Sequence, residues 1–254
     1  MMTARLEATV GSVTFAPCSL DEIISTVDRA LEPSASPVTL GYANPHVVTS
    51  AVEHPAIEEH LAQCDQVCID GVGLWLALRA WKFDIERLPA YQAFDALVER
   101  QVLRGRMIVI GIEPGVVDQA AASICERCPD LELVATADGF CSDDQVSSVL
   151  RNTPADLVVI GAGTPRSEQI ATIARDLAPD AVVMHVGAGT LKVYAGVRRH
   201  APSIWSRLGV DWIHRFFTEP HTRDRYRTGI PEFIRLVNAH PHGVQKVTVK
   251  GATS

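Results

Sequence analysis

The sequence has no apolar run long enough to cross a lipid bilayer. A membrane-spanning helix needs about 18–20 consecutive apolar residues, and no stretch of this 254-residue chain approaches that length. Residues 1–10 also lack the apolar core of a secretory signal peptide. We therefore expect a cytoplasmic protein.

Positive charge is not in excess, and cysteine is scarce. The formal net charge is −7 at pH 7, whereas a protein that mainly binds nucleic acid needs a basic face for the phosphate backbone. Six cysteines do not make a dense disulfide scaffold in a chain of this length. Cys125 and Cys128 form a lone CxxC pair without the second pair of a typical zinc site. We expect reduced thiols, no metal and no nucleic-acid partner.

Three motifs of nucleotide and hydrolase chemistry are also missing. The chain contains no GxxxxGK[ST] loop, no GxGxxG loop that opens a helix, and no GxSxG nucleophile elbow. These absences argue against ATP hydrolysis, dinucleotide chemistry and serine hydrolysis.

What the sequence does contain is a regular alternation of two patterns. Short apolar runs end in glycine or a polar residue, and longer segments with apolar spacing near 3.6 follow them. Runs such as Met107–Ile110, Leu157–Ile160 and Val182–Val186 are apolar on both faces, which is typical of parallel strands covered by helices. The pattern predicts an α/β fold over residues 1–200, with a mainly parallel, Rossmann-like sheet and helices on both faces.

The amino-acid composition changes after Ala201. Residues 201–254 begin with a helical stretch rich in aromatic residues and arginine, which we interpret as a C-terminal appendage to the sheet domain. Its last residues, HGVQKVTVKGATS, either add an edge strand or fray.

Five glycine-containing loops follow predicted strands. In an open parallel sheet, ligands bind beyond the carboxyl ends of the strands. Glycine lets a backbone approach a ligand, and helix N-termini suit phosphate, although one glycine after a strand usually serves a turn. Together the loops favour a phosphate-bearing ligand such as a nucleotide. They are GYANP (41–45), DGVG (70–73), GIEPG (111–115), GAGTP (161–165) and GAGT (187–190).

Asp70 and Asn44 lie in two of these loops, and the residues alone leave two roles open for each. Asp70 could form a turn or cap a helix, or it could act as a general base or bind a hydroxyl. Asn44 precedes Pro45, which favours a turn, but it shares the same predicted edge of the sheet.

The order of several motifs resembles that of the WecG/TagA/CpsF glycosyltransferases (glycosyltransferase family 26). The resemblance extends from about Thr39 to Val237. The segments that carry it include ANPHVV, DGVGLWLA, GIEPGVVDQAA, GAGTPRSE and, as the most specific, APSIWSRLGVDWIHRFFTEP.

This resemblance implies an activity. The family transfers a sugar, typically N-acetylmannosamine from its UDP donor, to a polyprenyl-diphosphate-linked sugar at the cytoplasmic face of the membrane. The reaction inverts the anomeric centre without an obligatory metal. The resemblance therefore implies an inverting glycosyltransferase of cell-surface polysaccharide synthesis, with a nucleotide sugar as substrate and no required cofactor.

The resemblance also implies roles for individual residues. Asp70 matches the family's proposed general base, Asn44 its loop asparagine near the sugar, and Arg87 an arginine near the active site. Arginine suits the diphosphates because it stabilises a leaving phosphate without a metal. The residues assigned to the donor or its diphosphate are Tyr42, Gly111, Gly163, Thr164, Pro165, Ser167, Gly187, Gly189, Lys192, Arg215, Arg223 and Arg225, with Arg227 beside them.

Several positions depart from the family pattern, and they cluster in the implied pocket. The family's usual residues there are threonine, glutamate, glycine, aspartate, glutamine, aspartate and arginine. In the same order, this chain has Tyr42, His46, Ala90, Gln92, Ser167, Lys192 and His200 at these positions. We therefore expect the transfer machinery to serve a different sugar or acceptor.

Two other interpretations stay open at this point. The fold could act on a soluble acceptor such as a nucleoside or natural product, or the chain could be a non-catalytic binding protein. The aromatic appendage could belong to the core, contact the membrane face, or mediate self-association into a homo-oligomer.

Overall fold

The computed structural model describes residues 3–11, 13–199, 220–239 and 244–250. Six parallel strands form the main sheet: β3 (Thr39–Ala43), β4 (Gln66–Ile69), β5 (Gly105–Gly111), β6 (Leu131–Ala137), β7 (Leu157–Gly161) and β8 (Val182–His185). Three more strands are β1 (Thr3–Val10), β2 (Val13–Phe15) and β9 (Val244–Lys250). The helices are α1 (Leu20–Ala30), α2 (Pro45–Ser50), α3 (Pro55–Gln63), α4 (Val72–Ala80), α5 (Ala90–Glu99), α6 (Val116–Arg127), α7 (Asp143–Asn152), α8 (Arg166–Leu177), α9 (Ala188–Tyr194) and α10 (Pro220–Ala239).

The main sheet has the strand order β4-β3-β8-β7-β5-β6, and all its pairs are parallel. The chain moves outward from β5 to β6 in one direction and from β7 to β8 in the other. The neighbouring strands β5 and β7 therefore form a switch point, beside which open α/β sheets bind their ligands.

Alternate residues of the strands face two separate cores. Ile108, Ile110, Val158 and Ile160 pack with side chains of α7 and α8. Their strand neighbours, such as Val109, pack into the larger core that includes α5, α6 and α9. The predicted α/β fold with helices on both faces is therefore confirmed, because strands buried on both sides require an apolar residue at nearly every position.

A smaller antiparallel sheet has the order β2-β1-β9. The register pairs Ala8 with both Phe15 and Gln245, so the strand nearest the start of the chain lies between a hairpin partner and a distant one. Of the two outcomes left open for the tail, an added edge strand or fraying, the structure shows the edge strand. The hairpin of β1 and β2 was not predicted, although Arg5–Val10 alternates polar and apolar residues as a half-buried strand does.

Helix α10 lies against the end of the main sheet that carries β3 and β4. It packs on α2, and the buried ring of Phe233 lies 3.7 Å from the position that a Cβ on Gly73 would take. A methyl carbon of Leu236 likewise lies 3.0 Å from the position that a Cβ on Gly11 would take. The appendage thus contains a helix, as predicted, whereas the predicted domain boundary at residues 200 and 201 lies outside the described residues and stays a prediction.

A search of the described residues finds no helix with the length and apolarity that a membrane span requires.

Candidate active site

Asp70 lies directly after β4, at the carboxyl edge of the sheet. Its backbone N–H donates to the carbonyl oxygen of Ala43, 2.8 Å away, which joins the ends of β3 and β4. Helix α4 begins only after Gly71, which occupies the N-cap position, and no side chain caps that helix. Asp70 is therefore not the cap of α4, and its half-buried carboxylate stands at the edge where ligands bind.

Arg87 reaches the same place from a different part of the chain. The N–H of Leu88 donates to the carbonyl oxygen of Ile69 at 2.9 Å. Arg87 directly precedes Leu88 and Asp70 directly follows Ile69, so this hydrogen bond brings the two backbones close together. The indole N–H of Trp75 donates to the Ile85 carbonyl oxygen at 3.1 Å and holds this segment on α4. The backbones of Arg87 and Asp70 thus lie at the same end of the edge.

Asn44 is the N-cap of α2. Its side-chain oxygen accepts a hydrogen bond from the Val47 N–H at 2.9 Å, as expected for an asparagine that starts a helix. The Asn44 Cβ lies 3.6 Å from the place of a Cβ on Gly71, so the Asn44 and Asp70 loops are neighbours. Asn44 therefore has a structural role as a helix cap, and it also lies next to the loop that contains Asp70.

Tyr42, Gly187 and His185 line the next part of the edge. The Tyr42 ring lies 4.4 Å from the His185 ring, measured between centroids, and its hydroxyl lies 3.7 Å from the place of a Cβ on Gly187. Gly187 has φ +81° and caps α9 without a side-chain hydrogen bond. The structure therefore brings together the predicted residues Tyr42 and Gly187.

Lys192 and Gly189 each lie beside a charged side chain: Lys192 beside Glu113, and Gly189 beside Arg198. The Lys192 ammonium lies 2.6 Å from Glu113 Oε1, which joins α9 to the loop after β5. Lys192 lowers the pKa of the Glu113 carboxyl through this hydrogen bond, against the opposing effect of partial burial. The Arg198 guanidinium lies 2.8 Å from the place of a Cβ on Gly189. Gly189 thus leaves room for an arginine at the first turn of α9.

The loop 161–165 is closed by its own side chains. The Ser167 hydroxyl accepts from the Ala162 N–H at 2.8 Å, and the Thr164 hydroxyl donates to Glu168 Oε1 at 2.9 Å. The Thr164–Pro165 peptide bond is cis. Gly163 has φ +84°, and nothing lies within 4 Å of its Cβ position. Open space over Gly163 is what a ligand-binding loop requires.

Gly111 is explained by packing. It has φ +150°, and a Cβ there would lie only 2.3 Å from the carbonyl oxygen of Gly161. Two strand ends approach too closely for any side chain. The sequence interpretation of Gly111 as a donor contact is therefore not needed to account for this glycine.

The arginines of the appendage are only partly described. Arg215 lies outside the described residues, whereas Arg223 and Arg225 belong to helix α10. Arg227, on the same helix, is exposed. Their predicted contact with diphosphate stays a prediction.

Three buried titratable residues near the edge were missed by the sequence analysis. His185 is buried with neither ring nitrogen hydrogen-bonded, and His60 lies beside it with a ring-centroid distance of 6.2 Å. Burial lowers the pKa of both histidines, to about 4 for His60. Burial likewise raises the pKa of the Glu168 carboxyl. A single histidine in an apolar strand is no recognisable motif, so no pattern in the sequence pointed to this cluster.

The described side chains include no group of three or more histidine, cysteine or acidic residues arranged to hold a metal ion. Asp70 and Arg87 lie at one end of the edge, and glycine loops lie across the switch point. A carboxylate can take a proton from a hydroxyl, and exposed loop backbone suits a phosphate.

Comparison with known proteins gives two consistent results. The model of the glycosyl transferase WecG/TagA/CpsF family matches residues 8–245. An N-acetylglucosaminyldiphosphoundecaprenol N-acetyl-beta-D-mannosaminyltransferase of Bacillus spizizenii is 23% identical over 207 residues, covering 80% of each chain. The protein of the same name from Staphylococcus aureus strain NCTC 8325 is 28% identical over 208 residues, covering 80% of this chain and 81% of the relative.

Proposed function

Because the chain belongs to the WecG/TagA/CpsF glycosyltransferase family and is therefore a glycosyltransferase, we propose that it moves an N-acetylmannosamine-like sugar with inversion. The donor is a nucleoside diphosphate sugar, of which the UDP form is the first candidate, and the acceptor is a hydroxyl of a polyprenyl-diphosphate-linked sugar. The names of the relatives support the acceptor class. The observation that carries the proposal is the half-buried Asp70, which caps no helix and lies beside Arg87.

In the proposed reaction, the Asp70 carboxylate takes the proton of the acceptor hydroxyl. The freed oxygen attacks C1 of the donor sugar from the face opposite the phosphate. The new C1–O bond forms as the bond between C1 and the phosphate oxygen breaks, and the nucleoside diphosphate leaves with the electron pair. Cationic side chains stabilise the leaving diphosphate, a role that we assign to Arg215, Arg223 and Arg225.

Replacing Asp70 tests the proposed base. Asp70→Asn keeps the size of the side chain but cannot accept the proton, so turnover should fall by about 10²–10⁴-fold. Product formation is measured with a lipid-linked N-acetylglucosamine diphosphate acceptor, and donor binding is measured by calorimetry. Asp84→Asn is the matched control, because Asp84 is exposed and is not one of the assigned site residues. Unchanged turnover in Asp70→Asn would remove Asp70 as the base.

Lys192 supports a change of donor sugar within this proposal. It stands where the family usually has an aspartate, and its ammonium is held 2.6 Å from Glu113 Oε1 at the edge of the sheet. Calorimetry with UDP-, GDP- and dTDP-sugars tests the change. If UDP-N-acetylmannosamine binds best, the altered specificity is wrong. Donor binding without any transfer would instead favour the non-catalytic binding protein, and transfer to a soluble hydroxyl would favour a soluble acceptor.

A further inference from the structure

The outer face of α4 starts beside Asp70 and changes from apolar to basic along its length. Leu74, Ala77 and Leu78 turn the opposite face of the helix into the core. The outer residues recur at helical spacing, so they share one side of the helix. This set, which we call the α4 stripe, consists of Val72, Trp75, Leu76 and Arg79.

We propose that the α4 stripe binds the polyprenyl diphosphate of the acceptor, with the diphosphate on the Arg79 guanidinium and the first isoprene units on Leu76. The inference rests on the proposed function, since it requires an acceptor sugar that is joined to a lipid through a diphosphate.

The Arg79 guanidinium is folded back along the helix, towards the end that carries Asp70. Its Cζ lies 5.4 Å from the centroid of the Trp75 ring, one turn nearer the start of α4, which is the direction in which helical side chains lean. The Trp75 ring is itself held in place, because its indole N–H donates to the Ile85 carbonyl oxygen at 3.1 Å. A guanidinium that stacks on a ring still has the N–H groups along its edge for paired hydrogen bonds to phosphate oxygens.

The charges around Arg79 favour a diphosphate. The whole chain carries a net charge of −7, yet α4 contains no acidic residue and its last turn is basic. Lys82 is exposed just beyond the helix. Of the two acids that follow, Glu86 accepts from the Leu20 N–H at 3.1 Å and so points to the start of α1, and Asp84 is exposed, where salt screens its charge. This end of α4 is therefore a local site for an anion on an acidic protein.

The length of the stripe fits the acceptor. Val72 and Arg79 are about 10 Å apart along the helix axis at 1.5 Å per residue, and the folded-back guanidinium lies nearer to Asp70 than that. In the acceptor, a single pyranose ring separates the attacking hydroxyl from the diphosphate. A hydroxyl beside Asp70 can therefore place its own diphosphate at Arg79.

Leu76 lies beside Arg79 on the same side of the helix, and its side chain is 54% exposed. Hydrocarbon that leaves the diphosphate along this side contacts Leu76, and burial of apolar surface stabilises that contact. Helix α10 borders α4 on its Gly73 side, where the Phe233 ring lies 3.7 Å from the Cβ position of Gly73. The lipid thus leaves the protein next to the appendage.

Acceptor kinetics in detergent micelles test the diphosphate contact. Arg79→Gln should raise the KM for farnesyl-diphosphate-linked N-acetylglucosamine about tenfold or more, because paired charge-assisted hydrogen bonds are lost. The kcat and the Kd of the donor, measured by calorimetry, should stay within twofold. Arg79→Lys keeps the charge but not the paired donors, so its KM should lie between those of Arg79→Gln and the unmodified protein.

Arg151→Gln is the matched control for this measurement. Arg151 is also an exposed arginine in the last turn of a helix, in this case α7, and its substitution should leave the KM for the acceptor unchanged. Thermal unfolding checks that each variant is folded.

Leu76→Ser separates the lipid contact from the diphosphate contact. It should raise the KM for the farnesyl acceptor about threefold, because apolar contact is lost, and leave unchanged the KM for the methyl ester of N-acetylglucosamine diphosphate. Arg79→Gln should raise the KM for both acceptors. Leu133→Ser, at a residue 38% exposed on β6, is the control and should raise neither.

The outcomes separate the two proposals. If the unmodified protein transfers no sugar to the farnesyl acceptor from any donor, the proposed function is overturned and the α4 stripe with it. If transfer occurs with the same KM in the unmodified protein, Arg79→Gln and Leu76→Ser, the α4 stripe alone is overturned.

Two other results would also overturn the α4 stripe while leaving the proposed function intact. Weaker binding of the donor to Arg79→Gln, with an unchanged KM for the acceptor, would assign the guanidinium to the donor. Weaker sedimentation of the variants with anionic liposomes that contain no acceptor, again with an unchanged KM in detergent, would assign the face to membrane phospholipid.

Discussion

Gly111 and Gly115 belong to the same loop but differ in what surrounds them. A Cβ at Gly111 would lie 2.3 Å from the Gly161 carbonyl oxygen, whereas the Cβ position at Gly115 is open. Gly111→Ala must push two strand ends apart, so we expect a loss of about 3 kcal/mol in unfolding free energy. Gly115→Ala meets only the cost of a left-handed backbone, about 1–2 kcal/mol.

Urea unfolding of both alanine variants measures this difference, with the unmodified protein as reference. A Gly111→Ala variant as stable as Gly115→Ala would contradict the close approach of β5 and β7. The comparison also separates a glycine needed for packing from one that leaves a loop open.

The buried histidines predict a loss of stability in acid. Burial, with the Arg175 charge as the second cause, lowers the pKa of His60 from 6.5 to about 4. Between these values the unfolded chain binds a proton that the folded chain does not. The contribution of His60 to the unfolding free energy is therefore fully present above about pH 6.5 and is lost as the pH drops towards 4. The loss from His60 between pH 7 and 5 is about 2 kcal/mol, and His185 shifts in the same direction.

Urea unfolding at pH 7 and pH 5 tests this dependence. His60→Gln cannot titrate, so its stability should differ less between the two values of pH than that of the unmodified protein. His54→Gln is the control, since His54 is exposed, and it should keep the full difference. An equal difference in all three proteins would refute the role of His60.

Part of the site could be predicted from single residues, and part could not. Asp70 follows an apolar strand, so the sequence places it at the carboxyl edge. The closeness of Arg87 depends on the bond between Leu88 N–H and Ile69 O, for which residues alone give no sign. The pair of Lys192 and Glu113 joins residues 79 positions apart, and such contacts follow from tertiary packing alone.

At the scale of elements, strands β5, β7 and β8 were the easiest to predict, because each is short, apolar on both faces and ends in or shortly before a glycine. Helices α1 and α5 were missed, although Ser19 and Glu22 form the capping box that starts α1. The small β1–β2–β9 sheet was only partly predicted, since its register is set by residues about 240 positions apart.

Helix α10 carries a prediction about membrane contact. Ile230 and Ile234, one turn apart, are 37% and 53% exposed on a helix that packs beside the Asp70 end of the sheet. If this face rests on the membrane that holds the acceptor, Ile230→Ser with Ile234→Ser should at least halve the fraction that sediments with anionic liposomes.

Leu133→Ser is the matched control for this measurement. Leu133 is 38% exposed on β6, at the opposite edge of the sheet, and its substitution should leave sedimentation unchanged. Equal sedimentation of the double variant and the unmodified protein would argue against membrane contact through α10.

At the scale of the whole molecule, β1 joins distant parts of the chain. Thr9 pairs with Thr14 on one side and with Val244 on the other. Proline at this position removes a ladder hydrogen bond whichever way the N–H points, so Thr9→Pro should cost about 3 kcal/mol or more. Thr9→Ala removes only the hydroxyl contact with Thr14 and should cost about 1 kcal/mol. Chemical unfolding that finds the two variants equal would contradict the central place of β1.

The same pairing has a consequence for synthesis on the ribosome. Ala8 and Gln245 are partners, yet at about 5–20 residues per second the second is made roughly 10–50 s after the first. During that interval β1 has its hairpin partner β2 along one edge only, and the other edge exposes unpaired backbone groups. The six-stranded sheet can fold in this time, whereas the small sheet must wait for β9. The nascent chain thus carries an open strand edge, a site for chaperone binding or mispairing, until β9 has been made.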